Sequence, residues 1–305
     1  MTDDIVKPFL KWVGGKTQII DTIIHNYPTT MQNYHDIFLG GGSTLFALLS
    51  LVRDKKITVS NKIYAYDLNS DLINVYKNIQ IKPRKVFKKI KTFIDEYTAC
   101  DGIIKNRKPT THEEALTSQE SYYYWIRKNF NALKTKEKRK PIGSAMFIFL
   151  NKTCFRGMYR TGVNGFNVPF GNYKTPKIID KETIKSISNL IKDVVFTVSG
   201  FEKSLLNLTV GDFAYLDPPY APETNTSFVG YNADGFDIEQ HKKLFTMCDN
   251  LRINQIMFMM SNSNVPLVQN AFPNDIYTTR VIECRRAINS KDPSKKTNEI
   301  IIKTY

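Results

Sequence analysis

The chain of 305 residues has no close cysteine pair, no clustered histidines and no long apolar run. Its four cysteines, Cys100, Cys154, Cys248 and Cys284, stand far apart without CxxC spacing. They argue against a disulfide framework and for a reducing intracellular compartment such as the cytoplasm. The histidines, His25, His35, His112 and His241, show no ligand spacing, so no metal site is expected. The longest clean apolar run, Ala145 to Leu150, is far short of the ~20 residues that span a bilayer, so no membrane partner is expected. The opening MTDDIVK is acidic, unlike a secretory signal. No internal repeat or low-complexity tract stands out.

What the chain does have is positive charge, and in one place. The net charge is +14, from 43 Lys and Arg against 29 Asp and Glu. Residues 78 to 175 hold 20 basic and 7 acidic side chains, and the rest of the chain is close to neutral. A basic segment beside a neutral body is an electrostatic footprint for a polyanion. The same excess also fits a solvated, Lys-rich surface, and charge alone does not choose between them.

The hydrophobic pattern reads as one α/β domain interrupted by that basic segment. Residues 34 to 38, YHDIF, form a strand that runs into Gly40, Gly41 and Gly42. An apolar helix follows, with Ser43 expected as its cap. A second strand, KIYAY, ends on Asp67 and leads into another helix. Strand, glycine turn, helix, strand and acid make one βαβ unit. The segment from 78 predicts helices over 82–100, 112–134 and 142–152, with a charged loop over 134–140. The turn-rich stretch CFRGMYRTGVNGFNVPFGNY predicts a β-hairpin over about 154–173, turning near Asn164-Gly165. Strands return at 194–198, 212–216 and 255–260, with a helix over 237–253 and a closing hairpin over 276–304.

Three features carry chemistry. The glycine turn between strand and helix lets backbone approach a ligand at a helix N-terminus. Asp67 follows at a distance close to the ~20 residues at which an acid binds ribose hydroxyls. The cluster is GGGS rather than GxGxxG, so an adenosine ligand without a pyrophosphate fits better than a dinucleotide. A plain tight turn is the competing reading. Gly15-Lys16-Thr17 imitates the end of a P-loop, but the required first glycine is Leu10, which excludes it. The sharpest signal is Asp217-Pro218-Pro219-Tyr220 after a hydrophobic strand. The prolines stiffen the loop and remove two donors, leaving carbonyls free to accept. An acid, a rigid carbonyl and an aromatic face can hold a planar base that bears an amine.

KWVGGK, DIFLGGGS, YAYDLNSDL, NGFNVPFGNY, YLDPPYAP, SNS, and RRAINS followed by NEIII occur in a telling order. The chain resembles, over residues 8 to 305, the Dam-type (D12 class, alpha group) DNA adenine-N6 methyltransferases. The resemblance implies a Rossmann-like S-adenosylmethionine-dependent methyltransferase sheet with an inserted helical DNA-recognition domain and hairpin. It implies a catalytic domain from residues 1–77 and 176–305, and a recognition insert over 78–175. S-adenosylmethionine would donate a methyl group to N6 of an adenine flipped out of duplex DNA, within a short palindromic site, without a metal. S-adenosylhomocysteine would be the product. Trp12, Lys16, Asp36, Phe38, Gly40, Gly42, Asp67, Phe201 and Asp217 would serve the donor. Asp217, Pro218, Pro219 and Tyr220 would hold and activate the adenine. Tyr159, Arg160, Asn164, Asn167 and Pro169 of the hairpin, with Lys138, Arg139 and Lys140, would contact DNA.

The chain departs from the family pattern before the glycine turn and in the hairpin, which lacks a residue before Phe166. Asp36-Ile37-Phe38 stands where Glu-Pro-Phe is usual, and Asn164 stands where GATC-reading relatives often carry arginine. The recognition sequence, a cognate restriction endonuclease and the oligomeric state stay open. Two alternatives also remain: methylation of cytosine N4 or of RNA, and a DNA-binding protein on an inactive methyltransferase scaffold.

Overall fold

The computed structural model describes residues 5–222, 236–285 and 296–305. Among the described residues, eleven strands appear in chain order. They are β1 (Thr30–Met31), β2 (Tyr34–Asp36), β3 (Thr58–Val59), β4 (Ile63–Asp67), β5 (Thr161–Gly162), β6 (Gly165–Phe166), β7 (Val194–Val198), β8 (Phe213–Leu216), β9 (Met257–Ser263), β10 (Thr278–Arg285) and β11 (Lys296–Lys303). Seven of them form one mixed sheet in the order β10-β11-β9-β8-β2-β4-β7. Strands β7, β4, β2, β8 and β9 run parallel, and β11 and β10 close the sheet antiparallel. The neighbours β8, β2 and β4 therefore bring three carboxyl ends together, and the chain order reverses beside β2. In open α/β sheets such a crevice is where ligands bind.

The helices form as their sequences ask. Asn69 caps Ser70–Ile81 by accepting the Leu72 N–H at 3.0 Å. Asp180 and Asp237 do the same for Lys181–Leu190 and Ile238–Ile253; such caps typically contribute ~1 kcal/mol each. The helix Ser43–Arg53 differs from expectation. Its cap is Gly42, in the left-handed region at φ 74°, and Ser43 is the first helical residue. The Ser43 hydroxyl instead accepts the backbone N–H of Lys16 at 3.1 Å, tying the N-terminal segment to this helix.

Between β4 and β7 the chain is mostly helical, with Pro83–Ala99, Gln119–Ala132 and Pro141–Thr153 as its long members. Three expectations shift here. The pattern over 112–134 is two helices, His112–Ala115 and Gln119–Ala132, because Ser118 caps the second by accepting the Ser121 N–H. The charged loop at 134–140 contains one helical turn, Thr135–Lys138. The β5–β6 hairpin turns through Val163 and Asn164, one residue earlier than expected, because Gly162 pairs with Gly165.

The sheet and the helical segment share a core. One continuous apolar cluster joins Phe46, Tyr76 and Phe196 near the sheet to Ile90, Tyr122, Phe130 and Phe149 of the helices. Asn78 fastens the two with polar bonds, donating to the Arg139 carbonyl at 3.0 Å and the Ser144 hydroxyl at 2.9 Å. A second cluster, including Leu216, Phe258 and Leu244, fills the opposite face under Ile238–Ile253.

Candidate active site

Backbone direction assembles the site. Asp36 pairs in register with Ala65 of β4 and Tyr215 of β8, so the residues just beyond each strand emerge side by side. These are the glycine turn after β2, Asp67 at the end of β4 and Asp217 after β8.

The glycines are required by Trp12. A Cβ on Gly41 would lie 2.7 Å from the Trp12 Cβ, and one on Gly40 would lie 2.9 Å from its indole. Trp12 is wedged between the turn and two rings, Phe147 at 6.4 Å and Tyr159 at 6.0 Å, both roughly parallel to it. Tyr159 is thus half-buried behind Trp12, with its hydroxyl donating to Asp71 at 3.4 Å.

Asp67 brackets the turn. One carboxylate oxygen accepts the Gly40 N–H at 2.9 Å and the other the Asn69 N–H at 2.8 Å. Burial raises its pKa, against these two bonds. Asp36 is fully buried. One of its oxygens accepts the Thr44 hydroxyl at 3.0 Å, and the other has no partner among the described residues. Burial, with smaller repulsion from Asp217 and Asp67, pushes its pKa up to about 7. Three carboxylates are therefore close enough to feel one another in a desolvated crevice. That arrangement suits a ligand bearing positive charge and hydroxyl donors.

Asp217 is held by Lys16. The Lys16 ammonium lies 2.7 Å from the Asp217 carboxylate, donates to the Gly14 carbonyl at 2.7 Å and sits 4.7 Å from the centre of the Tyr220 ring. Lys16 is almost fully buried, which is rare for lysine unless it is paired. Burial pushes the Asp217 pKa up to about 6, with Lys16 pulling it down and Glu299 pushing it up. Pro218 is buried and Pro219 exposed. The Tyr220 hydroxyl donates to Glu299 at 2.8 Å, and burial keeps this phenol neutral far above its ordinary range.

Phe38 and Phe201 meet as near-parallel rings 6.1 Å apart on the other side of the turn. Phe236 joins both, 6.0 Å from Phe38 and 5.7 Å from Phe201. Its place in this aromatic group has no local sequence signal. The same is true of the hold that β9 and β11 have on the Asp217 loop. SNS and NEIII stand out as motif fragments, but their contacts depend on antiparallel register.

The expected DNA-contacting residues are divided. Arg160, Asn164, Asn167, Pro169, Arg139 and Lys140 are exposed. Arg160 Nε donates to the Asn167 side chain at 2.7 Å, across the hairpin. Lys138 turns inward, 3.4 Å from Asp71 and 4.4 Å above the Phe130 ring. The RRAINS motif lies largely outside the described residues.

Residues 12–288 match the family described as D12 class N6 adenine-specific DNA methyltransferase. The chain is 34% identical to the type II methyltransferase M.MjaIII of Methanocaldococcus jannaschii, over 98% of this chain and 99% of that one. It is 30% identical to the type II methyltransferase M1.LlaDCHI of Lactococcus lactis subsp. cremoris, over 98% and 96%. It is 27% identical to a DNA adenine methylase of Salmonella typhi, over 98% and 95%. The chain belongs to the D12 class of N6 adenine-specific DNA methyltransferases. Its activity is site-specific methylation of DNA on adenine.

Proposed function

We propose that the Lys16–Asp217–Tyr220 group receives an adenine flipped out of duplex DNA, while the crevice lined by the glycine turn and Asp67 holds S-adenosylmethionine. The observation that carries this reading is the ion pair between the buried Lys16 and the half-buried Asp217 at the carboxyl end of β8. The residues fit the donor. Asp36 offers an orphaned buried oxygen, Asp67 an acceptor carboxylate, and Phe38 and Phe201 apolar faces for an adenine ring. When bound, the donor supplies an activated methyl group on a sulfonium.

The protein's task is then to make the acceptor nucleophilic. The N6 lone pair of adenine is delocalised into the ring. Asp217 and the Pro218 carbonyl can accept the two N6 protons, localising the lone pair and aiming it. Lys16 occupies one Asp217 oxygen and helps keep the group an anion. With a pKa near 6, Asp217 can also receive the proton that N6 sheds after transfer. Tyr220 offers a stacking face, typically worth ~1–3 kcal/mol per base. Positioning and electrostatics supply the rate, with no covalent enzyme intermediate. N6 is inaccessible in a stacked duplex, so the base must leave the helix.

The division of labour follows. Residues 1–77 and 176–305 form the catalytic part, and 78–175 form the basic recognition part that meets phosphates and bases. The site is a short palindrome, as suits an enzyme whose similar proteins include type II methyltransferases, and a restriction endonuclease with the same site is a natural companion. Action on DNA and unpaired cysteines fit a reducing intracellular compartment. The test is to map methylated adenines in DNA from cells expressing the protein or its Asp217→Ala variant. One recurrent adenine context, lost with the variant, is expected; methyl groups on cytosine would overturn the assignment.

A further inference from the structure

We propose that Glu299, on the last strand of the sheet, is a positioning residue for Tyr220. In this reading β9 and β11 together grip the catalytic loop at three points. The proposal rests on the reading above, in which the Tyr220 ring stacks on the target adenine.

The loop needs an external hold. Pro218 and Pro219 have no backbone N–H, so neither can donate a hydrogen bond that ties the loop to its surroundings. The hold comes from the neighbouring antiparallel strands. Glu299 lies directly opposite Ser263 in the β9–β11 register. The Ser263 hydroxyl donates to the Ala221 carbonyl. The Asn262 side-chain carbonyl accepts the Ala221 N–H at 3.0 Å and the Ser263 N–H at 2.8 Å. Glu299 accepts the Tyr220 hydroxyl at 2.8 Å. Two points fix the backbone just after the tyrosine, and the third fixes the far end of its ring. A phenol held at both ends cannot swing about its side-chain torsions, so its face is set before a base arrives.

The chemistry suits that role. Burial keeps the Tyr220 hydroxyl protonated, so it donates. A bond from a neutral hydroxyl to a carboxylate is among the stronger protein hydrogen bonds. Glu299 is half-buried and takes the hydroxyl, while the Lys16 ammonium lies against the ring.

The experiment uses the full-length protein and duplexes carrying its mapped site, with a fluorescent adenine analogue at the target position for the binding arm. Glu299→Ala and Tyr220→Phe each remove the anchoring bond and leave the stacking ring in place. Each is expected to lower kcat about ten- to a hundredfold, the cost of a small misplacement of reacting groups. KM for DNA should stay near wild type, and analogue emission in the complex should rise as its stacking on Tyr220 loosens. Because both changes break one bond, the double variant should be no slower than the worse single one. Glu299→Gln keeps a carbonyl acceptor and should recover most of the rate.

Wild-type kcat in Glu299→Ala, fully additive losses in the double variant, or Glu299→Gln as slow as Glu299→Ala would each overturn the positioning role. Tyr220→Ala separates the two layers of the proposal. If it turns over normally, the stacking reading itself fails. If it is crippled while Glu299→Ala and Tyr220→Phe are not, only the grip fails.

Discussion

Two regions of this molecule use charge in opposite ways. At the carboxyl ends of β8, β2 and β4, one carboxylate, Asp36, is fully buried, Asp67 and Asp217 are half-buried, and each is held by named donors. Across residues 78–175 the charge is basic, and Arg139, Lys140 and Arg160 are open to solvent. Buried charge acts in a low effective dielectric at fixed geometry, which suits chemistry. Exposed charge is screened and mobile, which suits positioning on a polyanion without reading its sequence. Lys138 crosses the divide: it belongs to the basic run by sequence and to the interior by its contacts with Asp71 and Phe130.

The largest test of the contrast is at the buried end. Asp217→Ala removes the proposed acceptor for N6 and should cost on the order of 10²–10³ in the transfer rate, as losing an oxyanion-type partner does. DNA binding should persist through the basic segment. Transfer of labelled methyl to duplex DNA measures the first and filter binding the second; activity within about tenfold of wild type would remove Asp217 from the chemistry.

Asp67→Ala should weaken S-adenosylmethionine binding by ~1.5–3 kcal/mol, the range for a lost hydrogen bond to a charged group. Calorimetry reads it directly. Since Asp67 also ties Gly40 to Asn69, Asp67→Asn serves as a control. An unaltered donor affinity in Asp67→Ala would leave Asp67 as a turn bracket alone.

The exposed region should respond to salt where the buried site does not. Log affinity for DNA should fall against log salt with a slope near −0.9 per contacted phosphate. Arg160→Ala then asks which kind of contact that residue makes. Loss of a base contact costs ~1–3 kcal/mol on the mapped site and relaxes one base pair. An equal loss on every duplex would assign Arg160 to the phosphates instead.

The smallest expected effect is a pH dependence. In the proposed mechanism the reactive form of Asp217 is the anion, and its pKa is pushed up to about 6, so kcat should decline about tenfold per unit below that value. Stability should run the other way. A folded-state pKa above the unfolded one favours the fold at low pH, and that contribution is lost as pH rises through about 6. Lys16 pulls this pKa down, so Lys16→Met should move the acid limb of the rate profile upward. A limb that stays in place would mean another group controls it.

Much of this is legible in the sequence alone. Strand, glycine turn, helix and acid are local patterns, and periodicity finds them. Asp217 to Tyr220 declares itself through composition alone. The misses are also physical. Ser43 looks like a helix cap, but the turn that accommodates Trp12 ends on Gly42, which takes the cap position in a conformation costly for other residues. The split between His112–Ala115 and Gln119–Ala132 rests on one serine cap inside a continuous helical pattern.

By itself the sequence determined which residue types stand at the ends of which strands, because strand length, turn chemistry and loop stiffness are short-range properties. Only the tertiary structure decided their company. Lys16 sits with Asp217 because an N-terminal turn, anchored on Ser43, packs beside the end of β8. Glu299 reaches Tyr220 because β11 enters the sheet antiparallel, in a register that sets it beside Ser263. Pairings between residues 79 to more than 200 positions apart follow from how the sheet closes, and no local pattern in the chain encodes them.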